Sequence, residues 1–148
     1  MPRIMILKKI FYTILMIWNY NNSYKLFFFF SFMELIALLS KNEETWGQVS
    51  GLMNHGEWDN VIIIGDNLAR KFTHQKPFEF INVDLGKKIQ DLKDEFMKKL
   101  KGKIQGTEVA LSIASGDGKE HMALISALIN LPAGIRFAVL TKDGVVDL

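Results

Sequence analysis

The residues best suited to bind an anion form a short glycine loop, Ser115-Gly116-Asp117-Gly118-Lys119. An apolar run typical of a buried strand precedes the loop at residues 109–114, and an apolar-rich run typical of a helix follows at residues 119–130. A strand that turns through glycines into a helix directs several backbone N–H groups to one point. The positive end of the helix dipole and a lysine lie at the same point, so the loop predicts a phosphate-binding site.

Neither of the two common nucleotide-loop motifs is present here. The Walker A motif places Ser or Thr after its lysine, whereas Glu120 follows Lys119. The motif Gly-x-Gly-x-x-Gly starts correctly at Gly116, but His121 occupies its last position. The chemistry of this loop therefore depends on its individual residues and not on a known motif.

Each residue of the loop has a functional and a structural interpretation. Gly116 and Gly118 are expected to supply a positive φ or a close ligand approach, or else to be ordinary turn glycines. Lys119 is a candidate phosphate contact and catalytic group, and the alternative is a solvated lysine. His121 is a candidate acid, base or ligand contact, or a packed side chain. Asp117 repels an anion unless its carboxylate points away.

A second candidate loop follows the apolar strand predicted at residues 34–39. Ser40 is placed to contact a phosphate or a ribose hydroxyl, with a strand-end cap as the alternative. Lys41 and Asn42 come next, and Asn42 is also suited to cap a helix. Lys119 with His121 is the nearby pair that could supply general acid–base chemistry.

The remaining elements must bring these loops together, and they alternate between strand and helix. We expect further strands at 61–64, 78–83 and 135–140, with helices ending near residue 55 and at 68–72 and 87–101. Met122 and Trp46 are expected in the core. The turn at residues 142–144 predicts a C-terminal β-hairpin. The fold class is therefore α/β, a Rossmann-like, mostly parallel sheet with helices on both faces.

Such sheets bind ligands at the carboxyl ends of the strands, where the strand order reverses. If the strands at 34–39 and 109–114 flank that reversal, the loop at residues 40–43 faces the loop at 115–119. Residues 65–67 would then lie at the rim of the site. A nucleotide site between the two loops therefore requires that the strand order reverse between these two strands.

Residues 1–32 are unlike the rest of the chain because they contain no Gly, Ala, Val, Asp or Glu, the residues whose codons begin with G. We interpret them as a start codon assigned too early, outside a single domain at residues 33–148. The alternative is an export or membrane segment, although the apolar run at residues 10–18 is shorter than the roughly 20 residues that span a bilayer.

The bulk composition narrows the function classes. The net charge of +2 is too small to argue for direct DNA binding, and the absence of cysteine fits the cytoplasm. His55 and His74 lack partners at metal-ligand spacing, so no metal and no cofactor is expected.

From Ser115-Gly116-Asp117-Gly118-Lys119-Glu120-His121-Met122 through Gly134-Ile135-Arg136, the chain resembles CARF domains, the CRISPR-associated Rossmann-fold sensors. Ser115, Gly116, Lys119 and Met122 keep the family pattern of strand, Ser/Thr-Gly-Gly-Thr-Lys-like loop and Met-rich helix. Asp117 and Gly118 stand where the family usually has Gly-Thr.

The resemblance implies a standalone homodimer that binds cyclic oligoadenylate across its two-fold axis. The ligand contacts would be Ser40, Lys41 and Asn42 in the first loop, and Ser115, Gly116, Gly118 and Lys119 in the second. Some relatives cleave the ring with the ribose 2′-hydroxyl as nucleophile, for which Lys119 and Ser40 would matter most. A ring nuclease or phosphodiesterase, and a protein-interaction domain without ligand, remain the alternatives.

Overall fold

The computed structural model describes Leu7 and Phe32–Leu148, and Phe32–Leu148 forms a compact unit. Apart from Leu7 and Phe32, the N-terminal segment of residues 1–32 and its two interpretations lie outside the described residues. No helix within the described part of the chain is long and apolar enough to cross a lipid bilayer.

Strands and helices alternate along the unit as the hydrophobic pattern predicts. The strands are β1 (Glu34–Leu39), β2 (Asn60–Gly65), β3 (Glu79–Asn82), β4 (Glu108–Ser112), β5 (Gly134–Thr141) and β6 (Gly144–Asp147). The α-helices are α1 (Trp46–His55), α2 (Ile89–Leu100) and α3 (Gly118–Asn130), with short 3-10 helices at Glu43–Thr45 and Ala69–Lys71. The predicted boundaries differ from these by a few residues at most, as is usual for fraying ends.

The strands form one sheet in the order β3-β2-β1-β4-β5-β6. All neighbouring pairs are parallel except β5 and β6, which form the predicted hairpin. The chain runs outward from β1 to β3 and then returns to the other side of β1 at β4. The order therefore reverses between β1 and β4, which confirms the Rossmann-like fold and meets the topological condition for the site.

Helices cover both faces of the sheet because the central strands are apolar on both faces. On one face, α1 packs on Leu35, Ala37 and Leu39 of β1. On the other, α2 and α3 pack on Ile36 and Leu38. All six residues of β1 are buried, so this strand is fixed from both sides and holds its carboxyl end in place.

The outer face of α3 departs from the expected core. Met122 and Ile129 are 61% and 64% exposed, whereas Leu124 and Leu128 on the same helix are fully buried. Residues seven apart lie on one side of a helix, so Met122 and Ile129 share the face turned away from the sheet. The expectation that Met122 lies in the core was therefore wrong, whereas Trp46 is buried as expected.

Candidate functional site

The two predicted loops meet at the carboxyl ends of β1 and β4, through a pair of serines. The backbone N–H of Ser40 donates to Ser115 Oγ at 2.8 Å, and Ser115 Oγ donates to Ser40 Oγ at 3.0 Å. Ser115 is fully buried, while Ser40 is half-buried. These bonds join residues 75 positions apart in the sequence and set the spacing between the two loops.

The hydrogen bonds also determine which hydroxyl proton remains available. Ser40 Oγ accepts from Ser115 and, at 3.3 Å, from the N–H of Asn42. A hydroxyl has one proton to donate and two lone pairs, so both lone pairs of Ser40 are occupied and its proton is not. Ser40 can therefore donate to an anion, whereas the proton of Ser115 is already used within the protein.

Trp46 also holds Ser40, a contact that the sequence analysis missed. The indole Nε1 of Trp46 donates to the carbonyl of Ser40 at 2.9 Å. A buried Trp normally satisfies its N–H, so the predicted burial of this residue was the signal that it needed a nearby acceptor.

Gly116 has the conformation that the sequence predicts for one of the loop glycines. Its φ is +107°, and a Cβ there would lie 2.7 Å from Leu38 Cδ2, 2.8 Å from Glu120 Oε2 and 2.9 Å from His121 Nε2. Gly118 has no positive φ, and a Cβ there would meet nothing within 4 Å. The backbone conformation and the close neighbours thus require a glycine at position 116, whereas the space beside Gly118 is open to a ligand.

Asp117 points its carboxylate into the start of α3 rather than toward the loop surface. Its Oδ1 accepts from the N–H of Glu120 at 2.9 Å, and Glu120 Oε2 accepts from the N–H of Asp117 at 3.0 Å. This reciprocal capping box satisfies part of the helix N-terminus. Within residues 32–148, the N–H groups of Gly118 and Lys119 have no protein acceptor, so both can bind an anion.

The capping carboxylate of Glu120 is only 9% exposed. Burial raises its pKa above the ordinary value, although the hydrogen bond from the backbone of Asp117 acts in the opposite direction. A proton on Glu120 would remove one negative charge from beneath the candidate anion site.

Lys119 makes contacts that the sequence did not predict. Its Nζ donates to the backbone carbonyls of Leu85 and Lys87, each at 2.9 Å. Both carbonyls belong to the loop between β3 and α2, which adds a third segment to the two predicted ones. An ammonium has three protons, and two of those of Lys119 are engaged by these carbonyls.

His121 supports the glycine loop from the first turn of α3. Its Nε2 lies 2.8 Å from the carbonyl oxygen of Ser115, and because a carbonyl only accepts, Nε2 carries the proton. Nδ1 is then the position left for proton transfer in the neutral ring. No hydrogen bond joins His121 and Lys119 in the described residues. His121 contacts the carbonyl of Ser115, whereas Lys119 contacts that of Leu85.

The remaining candidates lie at the rim. Asn42 Oδ1 accepts from the N–H of Glu44 at 3.2 Å, so Asn42 caps a 3-10 helix as expected. Lys41 is exposed and forms no ion pair with any described residue. Asp66 follows β2 at the rim, where its Oδ1 accepts from the N–H of Leu68 at 3.0 Å.

A cavity lies away from these loops, and the described residues form no candidate metal site. A cavity of about 210 Å³ lies at the opposite edge of the sheet, where α2 and α3 end. Among the described residues there is no group of three or more His, Cys, Asp or Glu side chains placed to hold a metal ion.

Comparison with known proteins identifies the fold. No family model matches the sequence, and no curated protein matches it. Among solved structures, the chain is similar to Enterococcus italicus Csm6 bound to cyclic hexa-2′-fluoro-hexa-dAMP, with a TM-score of 0.51 and 13% sequence identity. The alignment covers 76% of this chain and 34% of that one, so this chain spans about a third of its length. At this identity the likeness shows the fold alone, and it agrees with the Rossmann-like α/β fold that the alternation of strands and helices predicts.

Proposed function

We propose that this protein is a nucleotide-binding sensor whose ligand is a cyclic oligoadenylate, bound by the loops at residues 40–43 and 115–121. The observation that carries the proposal is the serine pair at the reversal of the strand order. It holds the free hydroxyl donor of Ser40 beside the N-terminus of α3, where the N–H groups of Gly118 and Lys119 are also free.

The charges around the loops support a phosphate ligand. Lys119 and Lys41 supply cations on the two loops, and the carboxylate of Asp117 is engaged in the capping box. Several neutral donors with a few cations is the usual composition of a phosphate site at a helix N-terminus. The choice of a cyclic oligoadenylate is supported by the CARF-like fold and by the ligand of the similar Csm6 structure.

We propose further that the protein acts as a homodimer, with the ligand lying across the two-fold axis. The resemblance to CARF domains supports this arrangement. So does the exposed apolar face of α3, since Met122 lies one turn beyond the first residue of that helix and therefore close to the loops.

Thermal unfolding of the full chain with ligand tests the binding proposal. Cyclic tetra-adenylate, cyclic hexa-adenylate and ATP would be compared with buffer alone. Ligand at about 100 times its Kd stabilises a protein by roughly 2.7 kcal/mol, which is a shift of several degrees for a domain of this size. We expect that shift with a cyclic adenylate and little or none with ATP.

Lysine variants locate the site. Lys41→Met removes a cation from the first loop without breaking a protein contact, so we expect a weaker ligand-induced shift and an unchanged Tm of the free protein. Lys101→Met, an exposed lysine at the opposite edge of the sheet, is the matched control and should keep the full shift. A normal shift in Lys41→Met, or none with any nucleotide in the unmodified protein, would contradict the proposal.

Cleavage of the ring is a second candidate function, supported by the free proton of Ser40 and the unengaged Nδ1 of His121. The same incubations, separated by chromatography, would show linear adenylates if the protein is a ring nuclease. Intact ligand after many hours would identify a sensor without turnover.

A further inference from the structure

The loop at residues 84–88 links the two helices that cover one face of the sheet. On the side of α2, Lys87 Nζ forms an ion pair with Glu95 Oε2 at 2.6 Å, and Glu95 also pairs with Lys99 at 3.4 Å. On the side of α3, the contact is the ammonium of Lys119 on the carbonyls of Leu85 and Lys87. We call this segment the bridging loop.

The bridging loop has little else to hold its backbone to α3. Turns within the loop join Gly86 N to Asp84 Oδ1 and Lys87 N to Asp84 O. Its other backbone bonds go to α2, where Leu92 N donates to Lys88 O and the backbone of Asp84 donates to Glu95. The side chain of Leu85 is buried in the core that α2 and α3 share. The position of residues 86–88 relative to α3 therefore depends on Lys119.

Lys119 is also the cation of the candidate phosphate site, so two sets of acceptors compete for it. Its present partners are neutral carbonyls, and a phosphate would offer charged oxygens at the N-terminus of the same helix. The present bonds have a charged donor and neutral acceptors, whereas a phosphate oxygen adds an opposite charge and therefore a Coulombic attraction that the carbonyls lack. A bound phosphate within reach of the ammonium would draw it away from at least one carbonyl.

We propose that ligand binding at the glycine loop is transmitted to α2 through Lys119. When its ammonium contacts the ligand, it leaves the carbonyls of the bridging loop. Occupied and empty sites then differ in how firmly residues 84–88 and the first turn of α2 are held. This inference rests on the proposed nucleotide function and adds a route by which binding changes the surface of the domain.

Hydrogen–deuterium exchange of the full chain tests both halves of this inference. Lys119→Met keeps most of the side-chain length without the donors, so in the free protein amides 86–92 should exchange several-fold faster than in the unmodified chain. Lys41→Met is the matched control, since it removes a lysine from the same site that touches neither carbonyl, and exchange at 86–92 should not change.

Adding cyclic hexa-adenylate to the unmodified protein should also speed exchange at amides 86–92, while amides of the two ligand loops become slower. If Lys119→Met does not fold, this measurement still tests the inference. Binding that protects the ligand loops and leaves 86–92 unchanged or slower would overturn the inference and leave the proposed function intact. Absence of any binding would overturn the proposed function first, and the release of Lys119 with it.

Discussion

At the scale of single residues, the two loop glycines are chemically identical but structurally opposite. Gly116 combines a φ of +107° with three close neighbours, whereas Gly118 begins α3 with open space around it. Their substitution by alanine therefore separates backbone strain from ligand approach.

We expect Gly116→Ala to lower the free energy of unfolding by about 1–3 kcal/mol, because alanine is strained at positive φ and its methyl group meets Leu38. Gly118→Ala should be neutral or stabilise by about 0.4–1 kcal/mol, since alanine suits a first helical position. Urea unfolding measures both changes. Equal destabilisation by the two variants would contradict this account of the loop.

Glu120 gives the protein a pH dependence whose sign follows from its burial. Burial raises the pKa of this carboxyl above the ordinary value of 4.5, so the folded protein holds the proton more tightly than the unfolded chain. The stability contributed by the protonated group is complete below pH 4.5 and is lost as pH rises through the raised pKa.

The variant Glu120→Gln should remove that part of the pH dependence and keep the cap, because Gln also serves in a capping box. Urea unfolding at about pH 4 and pH 7 should show a smaller loss of stability in Glu120→Gln than in the unmodified protein. Glu57→Gln, at an exposed position, controls for the loss of one negative charge. The same pH dependence in Glu120→Gln would show that other groups cause it.

At the scale of elements, a buried carboxylate fixes the amino end of β1 to the loop that leads into β4. Glu34 is 1% exposed, and its carboxylate accepts from the N–H groups of Gln105 at 2.9 Å and Gly106 at 2.7 Å. The side chain of Asn60 on β2 donates to it at 3.1 Å. One side chain thus ties the central strand to β2 and to the loop that precedes β4.

Replacing Glu34 with Gln should destabilise the protein by about 1.5–3 kcal/mol, because hydrogen bonds to a charged acceptor are lost and the new amide faces backbone donors. Glu108→Gln is the matched control on the neighbouring strand β4. Its side chain is 58% exposed and pairs with Arg136 at 2.8 Å, so we expect a change of about 0–1 kcal/mol. A small effect of Glu34→Gln in urea unfolding would mean that this contact does not hold the strands together.

At the scale of the whole molecule, the exposed face of α3 bears on the proposed homodimer. Met122→Glu places a charge on that face, and if a second copy packs there, the desolvation of the charge opposes association. We expect size-exclusion chromatography with light scattering to give a dimer for the unmodified chain and mostly monomer for Met122→Glu.

The control for this prediction is Lys98→Glu, an exposed position on α2, which should remain dimeric. A dimer that persists unchanged in Met122→Glu would place the interface elsewhere. A monomer at all concentrations of the unmodified chain would contradict the homodimer itself.

The sequence by itself determined the alternation of elements and the fold class. Buried strands such as β1 and β2 are continuous apolar runs, and glycines mark the turns, so local pattern sufficed. It also predicted the glycine turn at residues 115–119, because a glycine turn between a strand and a helix has a local signature. The CARF-like resemblance rested on the same short segment.

The tertiary structure alone decided how the candidate site is connected. The bond between Ser40 and Ser115 needs β1 and β4 to be neighbours, and the contact of Lys119 with Leu85 needs α2 and α3 to share a face. The exposure of Met122 likewise depends on which side of α3 meets the sheet. Hydrogen bonds between distant segments produce no periodic pattern in the sequence. Each one depends on where two particular atoms lie after the whole sheet has formed.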